Sequence, residues 1–211
     1  MSDRYAGYRR ILVATDFSPC ADAALHQAVW IAKHAHSEMV LAPVVADLRR
    51  AVSRTSCRSR IEFLEGQEEH LQRELRRDSD EKLKRLIHHL GHTGVKITYE
   101  TLLGEPYVEL IHSVQQEGYD LVVAGTRGNS SWEKLFLGST ARRLIRKCPA
   151  AVWVVNRNPA RPPVSILAAV DMSDASRRAL EQAAWLADCA GAEFHVLHVV
   201  ERPGSVWVFE Q

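Results

Sequence analysis

Short apolar runs alternate with amphipathic stretches along most of the chain. Five segments predict strands: Arg10–Thr15, Glu38–Val45, Val95–Thr101, Leu121–Gly125 and Ala151–Val155. Four segments with helical spacing predict helices that begin at Ser18-Pro19, near Ile61, at Gly104-Glu105-Pro106 and at Gly138. Strands that alternate with helices favour right-handed crossovers, so the pattern predicts a doubly wound, five-stranded parallel sheet with helices on both faces.

The first strand and helix recur 155 positions later. Ile11–Ser18 matches Ile166–Ser173, and Val44-Val45 recurs as Val199-Val200. A shared helical face alone would not reproduce the Asp and the Ser at the turn, which indicates a duplicated unit. The second copy extends only as far as the counterpart of Ser56. We therefore predict a complete domain over 1–157, a proline-rich linker over 158–163 and a partial second domain over 164–211.

Composition narrows the class of protein. Of 211 residues, 46% are apolar and 25% charged, which is typical of a folded chain. The balance of 27 Lys and Arg against 26 Asp and Glu excludes a globally basic nucleic-acid binder. Charges interrupt every apolar run before the ~18 residues that a membrane span needs, so we predict a cytoplasmic protein without a membrane segment. Four cysteines without C-x-x-C spacing indicate neither a zinc site nor a disulfide framework.

The loop after Leu121–Gly125 has an unusual glycine spacing. Gly125-Thr126-Arg127-Gly128 is followed by nine residues and then by Gly138-Ser139-Thr140 at a helix start. Glycines after a strand permit close backbone approach, and a helix start offers free N–H groups and a positive dipole end, so the loop suits an anion such as phosphate. The alternative is that these glycines only turn the chain and cap the helix. Neither G-x-G-x-x-G nor a P-loop is present in the loop.

This spacing, behind a first strand that ends in Ala14-Thr15-Asp16 and a helix that starts at Ser18-Pro19, resembles the universal stress protein family, in particular its nucleotide-binding branch. The resemblance covers residues 9 to 156 and, as a partial second domain, 164 to about 202. It implies an adenine nucleotide alpha hydrolase-like, Rossmann-like fold in a tandem arrangement.

The resemblance also implies a role for individual residues. Ala14, Thr15 and Asp16 would line the adenosine side of a nucleotide, and Val44 would touch the adenine. Gly125, Arg127 and Gly128 would approach the ribose and phosphates, and Gly138, Ser139 and Thr140 would hold the phosphates. For Asp16 the residues leave a second interpretation open, because an aspartate beside Ser18 also suits helix capping.

The expected function is that of an ATP-binding regulatory module in a stress response, with Mg²⁺ or Mn²⁺ beside the phosphates and little or no hydrolysis. Two alternatives stay open: a slow adenine-nucleotide hydrolase of the same fold, and a protein-interaction scaffold with an empty site. The family resemblance and the apolar edge predicted for Ala151–Val155 together favour a homodimer through that strand. One nucleotide site per subunit is expected, because the second copy lacks a counterpart of the glycine loop.

Overall fold

A computed structural model describes residues 7–48, 68–126, 137–156 and 162–200 of the chain. The chain divides into two compact units, of which the first lies within Tyr8–Arg161 and the second begins at Pro162. Among the described residues, no helix combines the length and the apolar character needed to cross a membrane.

The first unit is an open parallel sheet with helices. Its strands are β1 (Arg10–Thr15), β2 (Glu38–Val45), β3 (Ile97–Tyr99), β4 (Leu102–Leu103), β5 (Leu121–Gly125) and β6 (Ala151–Val155). Its helices are α1 (Pro19–Ala35), α2 (Glu68–Leu90), α3 (Pro106–Glu117) and α4 (Ser139–Lys147). The strand order is β3-β2-β1-β5-β6, and β4 pairs with β2 beyond the end of β3. Every pairing is parallel, as the alternation of strands and helices predicts.

Both faces of the central strand are covered. Ile11, Leu12 and Val13 are all fully buried, which explains why β1 is a continuous apolar run. On one face, Leu12 belongs to a cluster with Leu110 of α3 and Leu144 of α4. Because successive side chains of a strand point to opposite faces, Ile11 and Val13 lie on the other face, where α1 packs against β1 and β5. The doubly wound fold is therefore confirmed.

The prediction of one strand over Val95–Thr101 is wrong in its bounds. Pairing with β2 stops at Tyr99 and resumes only at Leu102. Between them the Thr101 hydroxyl donates a hydrogen bond to Asp80 Oδ1 of α2 at 2.7 Å. The edge strand breaks where this side chain bonds to the helix, and alternation in the sequence could not show that bond.

The second unit repeats the strand–helix–strand pattern. It contains β7 (Ser165–Val170), α5 (Asp174–Ala190) and β8 (Glu193–His198). The two strands are parallel, and α5 packs on them.

Candidate functional site

The carboxyl edge of the first sheet has one point where the strand order reverses. From β1 the chain moves through β2 to β3, then returns to β5 on the other side of β1 and continues to β6. In open parallel sheets ligands bind in the crevice at such a switch point. Asp16 directly follows β1 and Thr126 directly follows β5, so both residues lie at this position.

The turn after β1 is held by its own side chains. Thr15 Oγ1 accepts a hydrogen bond from the Phe17 amide at 3.1 Å, and Asp16 Oδ1 accepts one from the Ser18 amide at 3.0 Å. Ser18 caps α1, since its hydroxyl oxygen accepts from the Ala21 amide at 3.3 Å. Asp16 therefore holds the turn before the helix, while Ser18 is the residue that caps α1, and the Asp16 side chain stays exposed at the switch point.

Gly125, at the end of β5, meets the first turn of α1. A Cβ added at Gly125 would lie 2.8 Å from the carbonyl carbon of Cys20 and 2.9 Å from its Cβ and carbonyl oxygen. Real Cβ atoms essentially never approach this closely. Glycine is required here for packing between β5 and α1, whether or not a ligand is bound.

Main-chain hydrogen bonds of Thr126 join the two ends of the glycine loop and connect them to β6. The Thr126 amide donates to the Val155 carbonyl at 2.8 Å, and the Thr126 carbonyl accepts from the Gly138 amide at 2.7 Å. Arg127 and Gly128, both predicted to contact a nucleotide, lie outside the described residues. Gly138 was also expected to hold phosphate, and in this structure its amide donates to the Thr126 carbonyl.

Helix α4 begins beside these hydrogen bonds with an electropositive end. Its N-cap is Gly138, which makes no side-chain cap hydrogen bond, and its first turn holds no acidic residue. The first N–H groups of a helix have no partner within the helix, so Ser139 and Thr140 lie where amides and the helix dipole attract an anion. Ser139 is exposed and Thr140 half-buried.

Three alanines, Ala14, Ala42 and Ala124, lie side by side on the face of the sheet where α4 packs. Ala14 of β1 is in register with Ala42 of β2, and it lies level with Ala124 one step beyond the last recorded β1–β5 pair. Ala14 and half-buried Val44 both pack against the cluster that contains Leu144 of α4. The structure therefore brings Ala14 and Val44 to the same face as the α4 helix, whereas strand alternation places Thr15 on the opposite face.

Sequence reasoning missed Thr126 and Cys20. Thr126 was visible only as a spacer between Gly125 and Arg127, and Cys20 only as an isolated thiol after Ser18-Pro19. Their contacts reach residues more than 10 positions away, for which a single sequence carries no signal. Across residues 7–48, 68–126, 137–156 and 162–200, no group of three His, Cys, Asp or Glu side chains could hold a metal ion.

The second unit repeats the turn but differs in its surroundings. Asp171 Oδ1 accepts from the Ser173 amide at 3.0 Å, as Asp16 does from Ser18. Hydrogen bonds from the Ser173 side chain and amide and from Ser176 lower the pKa of Asp171 from 3.8 to about 2. Within residues 162–200 no glycine loop follows this turn.

These features define a class of protein: an open, doubly wound α/β domain in which a helix with a glycine N-cap begins beside the switch point. The chain belongs to the universal stress protein family, whose model matches residues 7–156 and 165–210. Universal stress protein MJ0531 of Methanocaldococcus jannaschii is 32% identical over 150 residues, which cover 71% of this chain and 83% of that protein.

Solved structures agree with the fold. The structure of protein MJ0577, from the same archaeon, is 27% identical with a TM-score of 0.60, covering 72% of this chain and 97% of that one. A universal stress protein from Archaeoglobus fulgidus has a TM-score of 0.67 at 22% identity and covers 92% of this chain and 68% of its own. At that identity the second comparison supports the fold alone.

Proposed function

We propose that the first unit binds an adenine nucleotide, ATP foremost, at its switch point and acts as a regulatory binding module. The observation that carries this proposal is the start of α4. It combines a glycine N-cap, a first turn without carboxylates and a position on the same face as Ala14 and Val44. Membership of the universal stress protein family supports the same function.

The proposed roles follow from what each group offers. The amides and hydroxyls of Ser139 and Thr140 would hold phosphate oxygens at the positive end of α4. Ala14 and Val44 would give the adenine ring a small apolar surface. Asp16 would accept from a ribose hydroxyl or bind Mg²⁺ or Mn²⁺ held by the phosphates. For Arg127 and Gly128 the proposed role is the one predicted from the sequence, contact with the ribose and phosphates.

Slow or absent hydrolysis is part of the proposal. Phosphoryl transfer to water needs a positioned nucleophile as well as neutralised phosphate charge. The glycine loop has no P-loop lysine, and Asp16 Oδ1 already accepts from the Ser18 amide. Phosphate release over many turnovers that vanishes in Asp16→Ala would establish the hydrolase alternative instead.

Calorimetry with ATP on Ser139→Asp tests the site. A carboxylate in the first turn of α4 favours the helix dipole, so stability is kept or raised, while it repels a bound triphosphate. We expect the Kd for ATP to rise at least about tenfold, equal to ~1.4 kcal/mol. The control is Ser176→Asp, which makes the same charge change in the first turn of α5 and should leave the Kd unchanged.

Two outcomes would contradict the proposal. An equal Kd for ATP in wild type and Ser139→Asp would show that the start of α4 does not bind the nucleotide. No binding by wild type would favour the scaffold alternative, and ATP would then leave the melting temperature unchanged. Saturation at ~100 Kd would instead add ~2.7 kcal/mol to the free energy of unfolding.

We also propose that the chain forms homodimers through β6. This strand lies at the end of the described sheet, and its residues Ala151–Val155 carry no charge or proline. Light scattering should give twice the mass of the chain, and a monodisperse monomer would contradict the dimer. The cytoplasmic location stays a prediction.

A further inference from the structure

The end of β5 is in contact with α1 through main-chain atoms. The added Cβ at Gly125 would meet the carbonyl carbon and oxygen of Cys20, which are backbone and cannot rotate away. Gly125 is not among the glycines with positive φ, so its backbone conformation does not require glycine. What requires it is the space that the first turn of α1 occupies.

Thr126, the next residue, connects the end of β5 to α4. The Thr126 peptide donates to Val155 at 2.8 Å and accepts from Gly138 at 2.7 Å. Gly138 is the N-cap of α4, with φ −58° and ψ 156°. A displacement of the β5 end therefore reaches the helix start through one residue and one hydrogen bond, and the second bond ties the same residue to the end of β6.

We propose that Gly125 and Thr126 are positioning residues for the anion site. They set where the first turn of α4 lies, a role beyond the approach to the ribose and phosphates that the family resemblance implies for Gly125. Gly125 acts by letting β5 close against Cys20, and Thr126 acts by bonding the helix start to the end of β6. This inference rests on the proposed function, because it assigns anion binding to the first turn of α4.

The same geometry changes which amides serve the ligand. The Gly138 amide is bonded to Thr126, so the phosphate-binding amides are those of Ser139 and Thr140. The first and third glycines of the spaced motif thus build the site, and the first turn after the third one binds. An anion-site donor displaced by a fraction of an ångström loses much of its charge-assisted bond.

Gly125→Ala tests the proposal, with Gly118→Ala as its matched control. Gly118 ends α3 with φ 69°, and a Cβ there meets no atom within 4 Å, so alanine strains the backbone without filling space. Both variants should lower the urea midpoint. Only Gly125→Ala should raise the Kd for ATP, by about tenfold, the equivalent of one misplaced charge-assisted hydrogen bond.

Amide hydrogen exchange in nucleotide-free protein provides a readout that does not depend on ATP. We expect the Gly138 amide to exchange faster in Gly125→Ala than in wild type or Gly118→Ala, because its bond to Thr126 is loosened. If wild type does not bind ATP, the proposed function fails, and the exchange rate of Gly138 alone decides whether Gly125 positions the helix.

The positioning role would be overturned by a folded Gly125→Ala protein with unchanged ATP affinity and unchanged Gly138 exchange. Should that variant fail to fold, Thr126→Pro replaces it. Proline removes the amide that bonds to Val155 and the hydroxyl that lies 4.0 Å from Cys20 Sγ, and it fixes φ at residue 126, while residue 125 stays glycine and places no Cβ against Cys20. The same rise in Kd is expected, and an unchanged Kd in folded Thr126→Pro would overturn the proposal.

Discussion

The β1–α1–β2 segment and the β7–α5–β8 segment have the same local geometry in different surroundings. Arg10 pairs with Glu38 in the first unit, and Ser165 pairs with Glu193 in the second, so both ladders join residues at the same separation. The residue after each Asp adopts a left-handed conformation, with φ 60° at Phe17 and 66° at Met172. Similar sequences therefore produce the same strand register and the same turn.

Burial separates the two segments. Leu12 is fully buried beneath α3 and α4, whereas Leu167, at the equivalent position, is 63% exposed. Ala42 is 1% exposed and its counterpart Leu197 is 47% exposed. Local geometry follows from neighbouring residues, but burial depends on elements supplied from elsewhere in the chain. Within residues 162–200 the second unit has no counterpart of α3 or α4.

The largest expected difference comes from truncating the equivalent leucines. Leu12→Ala removes buried contacts and leaves a cavity, and we expect a loss of about 2–5 kcal/mol in the free energy of unfolding. Leu167→Ala exposes little new surface and should cost less than about 1 kcal/mol. Urea unfolding measures both changes. If Leu167→Ala lowered the free energy of unfolding as much as Leu12→Ala, the face of β7 that carries Leu167 would have to be covered in solution.

A smaller difference is expected between the two helix caps. Ser18 and Ser173 accept from the Ala21 and Ser176 amides at 3.3 and 3.1 Å. Loss of an N-cap costs about 0.5–2 kcal/mol. Because Ser18 is 3% exposed and Ser173 is exposed, Ser18→Ala should fall at the upper end and Ser173→Ala at the lower end, where water replaces the cap. Equal losses in the two variants would mean that burial does not set the cost.

The smallest expected effect is on the pH dependence of the second unit. The pKa of Asp171 is lowered to about 2, with the Ser173 side chain as the largest cause. A lowered pKa stabilises the fold above the unfolded value near 3.8, and that stabilisation is lost as the pH falls through about 2. In Ser173→Ala the pKa should move up toward 3.8. Carboxyl NMR titration of Asp171 measures the shift, and an unchanged midpoint would contradict this assignment of the cause.

Most of the architecture could be predicted from the sequence. The bounds of β1, β2, β5 and β6 agree with the apolar runs. For β1 and β5, inside the sheet, the reason is that a strand buried on both faces needs a continuous apolar run. The bounds of β3 and β4, at the edge opposite β6, were less predictable. The side chains of β3 and β4 are mostly half-buried or exposed, so burial constrains the residue pattern weakly, and the break between the two strands lies where Thr101 bonds to Asp80.

The glycines of the candidate site show which features could be predicted from the sequence and which could not. The strand–loop–helix order and the turn from Asp16 to Ser18 could be predicted from the sequence, because they depend on periodicity and on hydrogen bonds between near neighbours. The switch point follows from the strand order, which the structure supplies. The folded domain was needed to show that Gly125 lies against Cys20 and that the Gly138 amide is bonded to Thr126. Such contacts join segments that are far apart in the chain, and their partners are set by how the sheet and helices pack.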